Sequence, residues 1–168
     1  MKKIASLIVC LTFLAVASAS DRNDRNDRDF NLFEFHRLAA VVPPFTGNTN
    51  PIRNIGGAGA PWKIAEGRAE LDSNGKLEVR VRGLVLVATG ANPIPNFAAI
   101  LSCQSIDSVT QTPTIVNLVA ATAPANTNGD AEIEGRVTLP SPCFAPIVFV
   151  AIPATATAPA RWLAISGF

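Results

Sequence analysis

Five glutamates on predicted strands are the side chains best placed for acid–base chemistry: Glu66, Glu70, Glu78, Glu132 and Glu134. Glycoside hydrolysis needs two carboxylates in a cleft. Here the carboxylates alternate along each strand with arginine neighbours, which is typical of a solvated sheet face. The sequence shows no activated nucleophile with a general base, because His36 is the single histidine and no Gly-x-Ser-x-Gly motif occurs. We therefore expect a protein that is not an enzyme.

Two cysteines outside the N-terminal apolar segment, Cys103 and Cys143, are predicted to form a disulfide. The alternatives are two free thiols or a redox pair, but no Cys-x-x-Cys motif is present. Closing a loop of this length would stabilise the fold by about 4 kcal/mol as an upper value in the loop-entropy model.

No metal or cofactor is expected. Asn126-Thr127-Asn128-Gly129-Asp130 has oxygen side chains at alternate positions, as calcium sites do, but the EF-hand pattern fails and Asn128-Gly129 is itself a strong turn signal. The Gly-rich segment 56–59 fits neither the dinucleotide-binding pattern nor a Walker-type loop. Nucleic acid is not an expected partner, since 14 Lys and Arg balance 13 Asp and Glu.

Trp62 and Trp162 are the candidate binding residues, because indole rings stack on sugars and anchor protein interfaces. Core packing is the alternative for both rings, and we favour it, since large aromatic side chains dominate core burial.

An export signal is predicted over residues 1–19. Lys2 and Lys3 precede an apolar run, and Ala17-Ser18-Ala19 is a small-x-small cleavage site. The run is shorter than the roughly 20 residues that span a bilayer. We expect a secreted, extracellular protein, with a periplasmic or cell-surface location as variants, and no stable membrane insertion after cleavage.

Residues 20–61 are predicted to precede the domain. An Asp-Arg-Asn repeat at 21–29 suggests disorder. The Phe-rich segment 30–45 fits a short helix or an edge strand, and it could dock onto the domain or bind a partner; we favour docking. The Gly- and Asn-rich segment 46–61 is interpreted as a flexible linker.

Residues 62–168 are predicted to form an all-β domain, a seven-stranded antiparallel Ig-like β-sandwich. A hairpin turns at 72–76 and places Glu70 opposite Glu78, Arg68 opposite Arg80, and Glu66 opposite Arg82. The predicted strands are Trp62–Leu71, Leu77–Val87, Phe97–Gln104, Thr114–Thr122, Ala131–Leu139, Ile147–Ile152 and Ala160–Ser166. The unbroken apolar run 147–152 indicates a central strand covered on both faces.

The stretch IAEGRAELDSNGKLEVRVRGL, with the later GDAEIEGRVTLP and its following cysteine, resembles uncharacterised exported bacterial β-sandwich proteins. More distantly, the strand–turn–strand pattern over 62–139 is similar to CHRD-type domains. Those domains carry a histidine-containing segment between such strands, and residues 62–139 contain no histidine. The resemblance therefore implies export and a β fold, and it assigns no site residue.

Together these features predict a secreted, monomeric, non-enzymatic binding or structural module whose partner is a protein or a glycan. A secreted inhibitor presenting loop 88–96 or 154–159 is the second hypothesis. A hydrolase with an unrecognised carboxylate site is the third.

Overall fold

The computed structural model describes residues 31–167, and this part of the chain is all β, as predicted, without a helix. The predicted export signal and the Asp-Arg-Asn repeat lie outside the described residues. The strands are β1 (Asn31–Phe35), β2 (Leu38–Ala40), β3 (Gly56–Gly57), β4 (Trp62–Lys63), β5 (Glu66–Asp72), β6 (Lys76–Arg82), β7 (Val85–Leu86), β8 (Asn96–Ile106), β9 (Pro113–Pro124), β10 (Ala131–Arg136), β11 (Phe144–Ile152) and β12 (Arg161–Ser166).

The strand count differs from the predicted seven. The seven longest strands, β5, β6 and β8 to β12, fall where the sequence predicts them. β1 to β3 are added, and β4 and β7 are short strands within the predicted strands 62–71 and 77–87. The predicted strand 77–87 is divided because Gly83 adopts a φ of 64°, and its N–H donates to Asp130 Oδ1 at 2.9 Å instead of continuing the ladder. The Ig-like arrangement stays a prediction.

One antiparallel sheet has four strands in the order β1-β5-β6-β10. Its central hairpin has the predicted register, with Glu70 opposite Glu78, Arg68 opposite Arg80, and Glu66 opposite Arg82. At the turn, Asp72 Oδ1 accepts hydrogen bonds from the backbone N–H groups of Asn74 and Lys76, both at 2.8 Å. This local bonding fixes the register and sends the charged side chains to one face.

The larger sheet has the order β2-β12-β11-β8-β9, with β3 parallel to β12 at the same edge as β2, and β4 pairs separately with β7. Its central strand β11 is buried on both faces from Ile147 to Ala151, which confirms the interpretation of that apolar run.

A single hydrophobic core joins the two larger sheets. The four-stranded sheet contributes Leu71, Leu77, Val79 and Ile133, and the larger sheet contributes Leu101 among others. Burying each such side chain stabilises the fold by about 2 kcal/mol relative to exposure. The sheets approach closely at Gly135 of β10, where an added Cβ would lie 2.3 Å from the carbonyl oxygen of Ala120 in β9.

The Phe-rich segment docks onto the fold as edge strands, within the part that the structure describes. β1 pairs with β5, and β2 pairs with β12. Phe35, Leu38 and Val41 are buried in the core. Docking is favoured because these three side chains are removed from water.

The segment 46–61, interpreted from sequence as a flexible linker, packs against the larger sheet instead. The guanidinium of Arg53 donates to the carbonyl oxygens of Ser102 (2.9 Å) and Ala145 (2.6 Å), and Asn117 donates to the Arg53 carbonyl at 2.9 Å. These bonds connect the segment to β8, β9 and β11. Ile55 and Ala58 join the core. Strands on both sides of residue 62 therefore share one core.

The predicted disulfide is present. Cys103 in β8 and Cys143, just before β11, are bridged with a Cα–Cα distance of 5.0 Å. Cys103 is fully buried, so the bridge joins the core to the segment that follows β10.

Replacing Cys103 by Ser should lower the free energy of unfolding by up to about 4 kcal/mol, because the unfolded chain regains the entropy of a loop of 40 residues. Urea unfolding followed by tryptophan fluorescence measures the change. Reduced wild-type protein is the control, and its free energy of unfolding should be lower by a similar amount. An unchanged unfolding midpoint in both would contradict a stabilising role for the bridge.

Candidate functional site

Both candidate tryptophans are buried in the core. Trp62 is 3% exposed and packs edge-on against Phe97, with ring centroids 6.5 Å apart. Trp162 is 2% exposed and lies between Phe149 and Phe45, at 6.3 and 6.5 Å. This burial agrees with the core-packing alternative. The structure does not bring the two rings together in one site.

The outer face of the four-stranded sheet, here called the charged face, has a row of glutamates crossing every strand. Glu34, Glu70, Glu78 and Glu134 are successive cross-strand partners on β1, β5, β6 and β10. Neighbouring strands lie about 4.8 Å apart, so four like charges stand close together. Such a row is unfavourable without compensation.

Lys76 supplies part of that compensation. Its Nζ lies 2.6 Å from Glu78 Oε1 and 2.9 Å from Glu134 Oε1. The hydrogen bond to Glu78, followed by that to Glu134, raises the pKa of Lys76 above its ordinary value. The same bond from Lys76 lowers the pKa of Glu78. This end of the charged face is therefore paired within the sheet.

A basic row lies beside the glutamate row. Arg68 and Arg80 are direct cross-strand partners, and Arg80 Nε lies 2.7 Å from Glu132 Oε1 on β10. At the opposite edge of the sheet, β1 ends at Phe35, and His36 and Arg37 follow it. Within residues 31–167, neither Arg68 nor Arg37 has a carboxylate within ion-pair distance. The two arginines leave positive charge on this part of the face.

An open groove of about 1390 Å³ runs along the basic row. Its walls come from five separate parts of the chain, namely the β1–β2 connection, the start of β5, the end of β6, and the segments 124–126 and 130–132. Seven of its 17 lining residues are Arg, Asp or Glu, and Leu38, Ile64 and Val81 are its large apolar residues. The arrangement suits a hydrophilic ligand that needs no enclosed cavity.

A second hollow of about 360 Å³ adjoins the groove. It shares His36 and Arg37 with the groove and is also lined by Phe33 and Pro146. The Phe33 side chain is 40% exposed, so one edge or face of its ring is accessible. The two depressions therefore lie side by side at the β1 edge of the sheet, with His36 and Arg37 lining both.

The structure also describes the surroundings of His36 and of the side chains that could bind a metal ion. The His36 side chain is 84% exposed, and its nearest carboxylate is Glu34 at 3.9 Å. In the part of the chain that the structure describes, no three His, Cys, Asp or Glu side chains are grouped to hold a metal ion. No helix in residues 31–167 is long and apolar enough to cross a membrane.

The Asn126–Asp130 segment is a turn whose oxygens bond within the protein. Asn126 Oδ1 accepts from the Asp130 N–H at 3.0 Å, and Asp130 Oδ1 accepts from the Gly83 N–H. The Gly83 bond is the main cause of a lowered pKa at Asp130. The turn connects β9 to β10, which belong to different sheets. The sequence signal for a turn was correct, but the turn does not close a hairpin.

The groove was not predicted from the sequence. Its charged side chains were visible as alternating positions on β5, β6 and β10. Its other walls come from segments that only the folded chain brings near them.

Lys76→Met should reduce the acid sensitivity of the protein. The pKa of Glu78 is lowered below its ordinary 4.5 in the folded state, so its contribution to stability is present above that value and is lost as the pH falls below it. Without Lys76 the pKa of Glu78 returns toward 4.5. Urea unfolding at about pH 7 and about pH 3 should show a smaller acid-induced loss in the variant than in the wild type. Lys63→Met, on β4, is the control, and its acid-induced loss of stability should equal that of the wild type. Equal losses in the wild type and both variants would contradict the pairing of Lys76 with Glu78.

Comparison with known proteins gave no family assignment. No protein-family model matches the chain, and neither a curated protein nor a solved structure matches it.

Proposed function

We propose that this chain is an exported, non-enzymatic binding module that holds an extended glycan in the groove of the charged face. The observation that carries the proposal is that His36 and Arg37 line both the groove and the adjoining second hollow. An open surface of this kind accepts part of a long polymer, whose remaining units extend into solvent on either side.

The strands give the groove a rigid floor. Arg68 and Arg80 project from the β5–β6 hairpin, whose inward side chains Ala69, Leu77 and Val79 are fully buried. Binding groups that project from packed strands lose less conformational freedom on binding than groups on free loops. This preorganisation favours a recognition role for the face over a merely solvated surface.

A glycan fits the groove better than a protein partner. Protein interfaces are centred on aromatic or apolar anchors that become fully buried, whereas seven charged residues and no Phe or Trp line the groove. Sugars are bound by hydrogen bonds from charged and amide side chains, with stacking on an aromatic face. Phe33, whose ring stacks with that of Phe35, lines the second hollow and is 40% exposed, so part of its ring is available to a sugar.

Export is part of the proposal. A buried disulfide is favoured in an oxidising compartment, and residues 1–19 have the charge and hydropathy pattern of a cleaved signal.

The order of strands in the two larger sheets also supports a two-layer sandwich of Ig-like size.

A non-enzymatic role is supported by the state of the reactive groups. Both described cysteines are in the disulfide, so neither offers a thiolate. His36 lies on the surface with only Glu34 near it, and a histidine base acts on a nucleophile held within hydrogen-bond distance.

The test compares two bulky substitutions at exposed alanines. Ala65→Trp places an indole in the groove, where Ala65 forms part of the wall. Ala156→Trp places the same side chain in the exposed loop 154–159, the surface of the inhibitor hypothesis. Each variant and the wild type are tested on a glycan array and on purified cell-wall polysaccharide, with thermal unfolding as the check on folding.

We expect the wild type and Ala156→Trp to bind glycan with similar affinity. Ala65→Trp should bind at least about tenfold more weakly, since one blocked contact region is worth about 1.4 kcal/mol or more. The reverse pattern would favour loop presentation to a protein target. Absence of glycan binding by the wild type would contradict the proposal.

A further inference from the structure

We propose that the glycan is acidic, and that Arg68, Arg80 and Arg37 form a subsite for its carboxylate or sulfate groups. This inference rests on the proposed function and names the ligand chemistry that the groove selects. It is carried by the arrangement of charge along the groove.

Arg68 and Arg80 are direct cross-strand partners, so their guanidinium groups extend from neighbouring positions on one face. Like charges placed directly opposite each other destabilise a sheet. Arg80 is paired with Glu132 at 2.7 Å and lies 3.8 Å from Glu78, so its charge is shared with those carboxylates, whereas Arg68 has none. An anionic group bound here would accept charge-assisted hydrogen bonds chiefly from Arg68, with Arg80 beside it.

Two of the three acidic residues of the groove are already engaged with other groups. Glu132 bonds Arg80 at 2.7 Å, and Asp130 accepts hydrogen bonds from the Gly83 N–H and from Asn126 Nδ2 at 3.2 Å. Glu66 stands opposite Arg82 in the hairpin register and forms no ion pair within residues 31–167. None of the three carboxylates lies at ion-pair distance from Arg68 or Arg37 in that part of the chain.

The glutamate row limits where the anionic groups can lie. Glu70 and Glu78 form the next cross-strand pair on the same face after Arg68 and Arg80. Their carboxylates would repel anionic groups of a polymer placed over them. The acidic groups of the polymer must therefore follow the basic row, away from the glutamate row. That direction leads past Arg37 to the second hollow.

The chain offers a matched control for the charge. Arg136 lies on the same face of β10, beyond Glu134 and outside the groove, and its side chain reaches the Asn74 carbonyl at 3.4 Å. Arg68→Gln and Arg136→Gln remove the same charge from the same exposed surface. Only the first removes charge from the groove.

The experiment measures binding of the disulfide-bonded protein to polygalacturonate, heparin and dextran by calorimetry at two salt concentrations. Polygalacturonate carries carboxylates, heparin adds sulfates, and dextran is neutral, so the three probes separate the possible anionic groups. We expect binding to at least one anionic polymer, weakened by salt, and weakened about tenfold by Arg68→Gln, the fold-change for loss of one charge-assisted bond of about 1.4 kcal/mol. Arg136→Gln should bind within about twofold of the wild type.

Equal affinity for dextran, or equal losses in the two variants, would overturn the acidic subsite. Tighter binding of poly-glutamate than of either anionic polysaccharide would also overturn it, in favour of an acidic peptide. If Ala65→Trp abolishes glycan binding while Arg68→Gln does not affect it, the groove function stands and this inference fails. If Ala65→Trp also leaves binding intact, the proposed function itself fails.

Discussion

The register of the β5–β6 hairpin is the constraint on which the charged face depends. Strand side chains alternate with a period of two, so a slip of one residue would exchange the buried Leu77 and Val79 for Glu78 and Arg80. Burying those charges without partners would cost far more than the whole stability of a small domain. The core therefore fixes the register, and the register in turn aligns the glutamate row and the basic row.

The N-terminal part of the described chain completes the structure around this hairpin. β1 adds Glu34 to the glutamate row, and its end at Phe35 leaves His36 and Arg37 beside Arg68. Arg53 holds the following segment against the larger sheet through two carbonyl groups, and burial lowers the pKa of its guanidinium. The β1–β2 connection thus forms a wall of the groove, and the segment 46–61 forms part of the packed core.

The sequence predicts the local features of the fold well. The hairpin register follows from alternating charges around an Asp-Ser-Asn-Gly turn, and the central position of β11 follows from its unbroken apolar run. The disulfide follows from the two remaining cysteines and the predicted export signal. Each of these inferences depends on neighbouring residues or on a single pair.

The sequence does not predict features that depend on distant contacts. The Gly-rich segment 46–61 has the composition of a linker, yet it is ordered by bonds from Arg53 to residues in two strands that are 49 and 92 positions away. The groove likewise combines the β1–β2 connection with the β9–β10 turn. Trp62 and Trp162 illustrate the same limit, since exposure is a property of the surrounding strands and not of the residue type.

The central claim is that an extended glycan binds along the basic row of the charged face. The most direct test is an NMR titration of isotope-labelled protein with polygalacturonate oligomers, following each backbone amide. We expect shifts confined to the segments that line the groove and the second hollow, 33–38, 64–68, 80–82, 124–126, 130–132 and 145–146, with strand β8 unchanged. Shifts centred on the loop 154–159, or spread evenly over the surface, would contradict it.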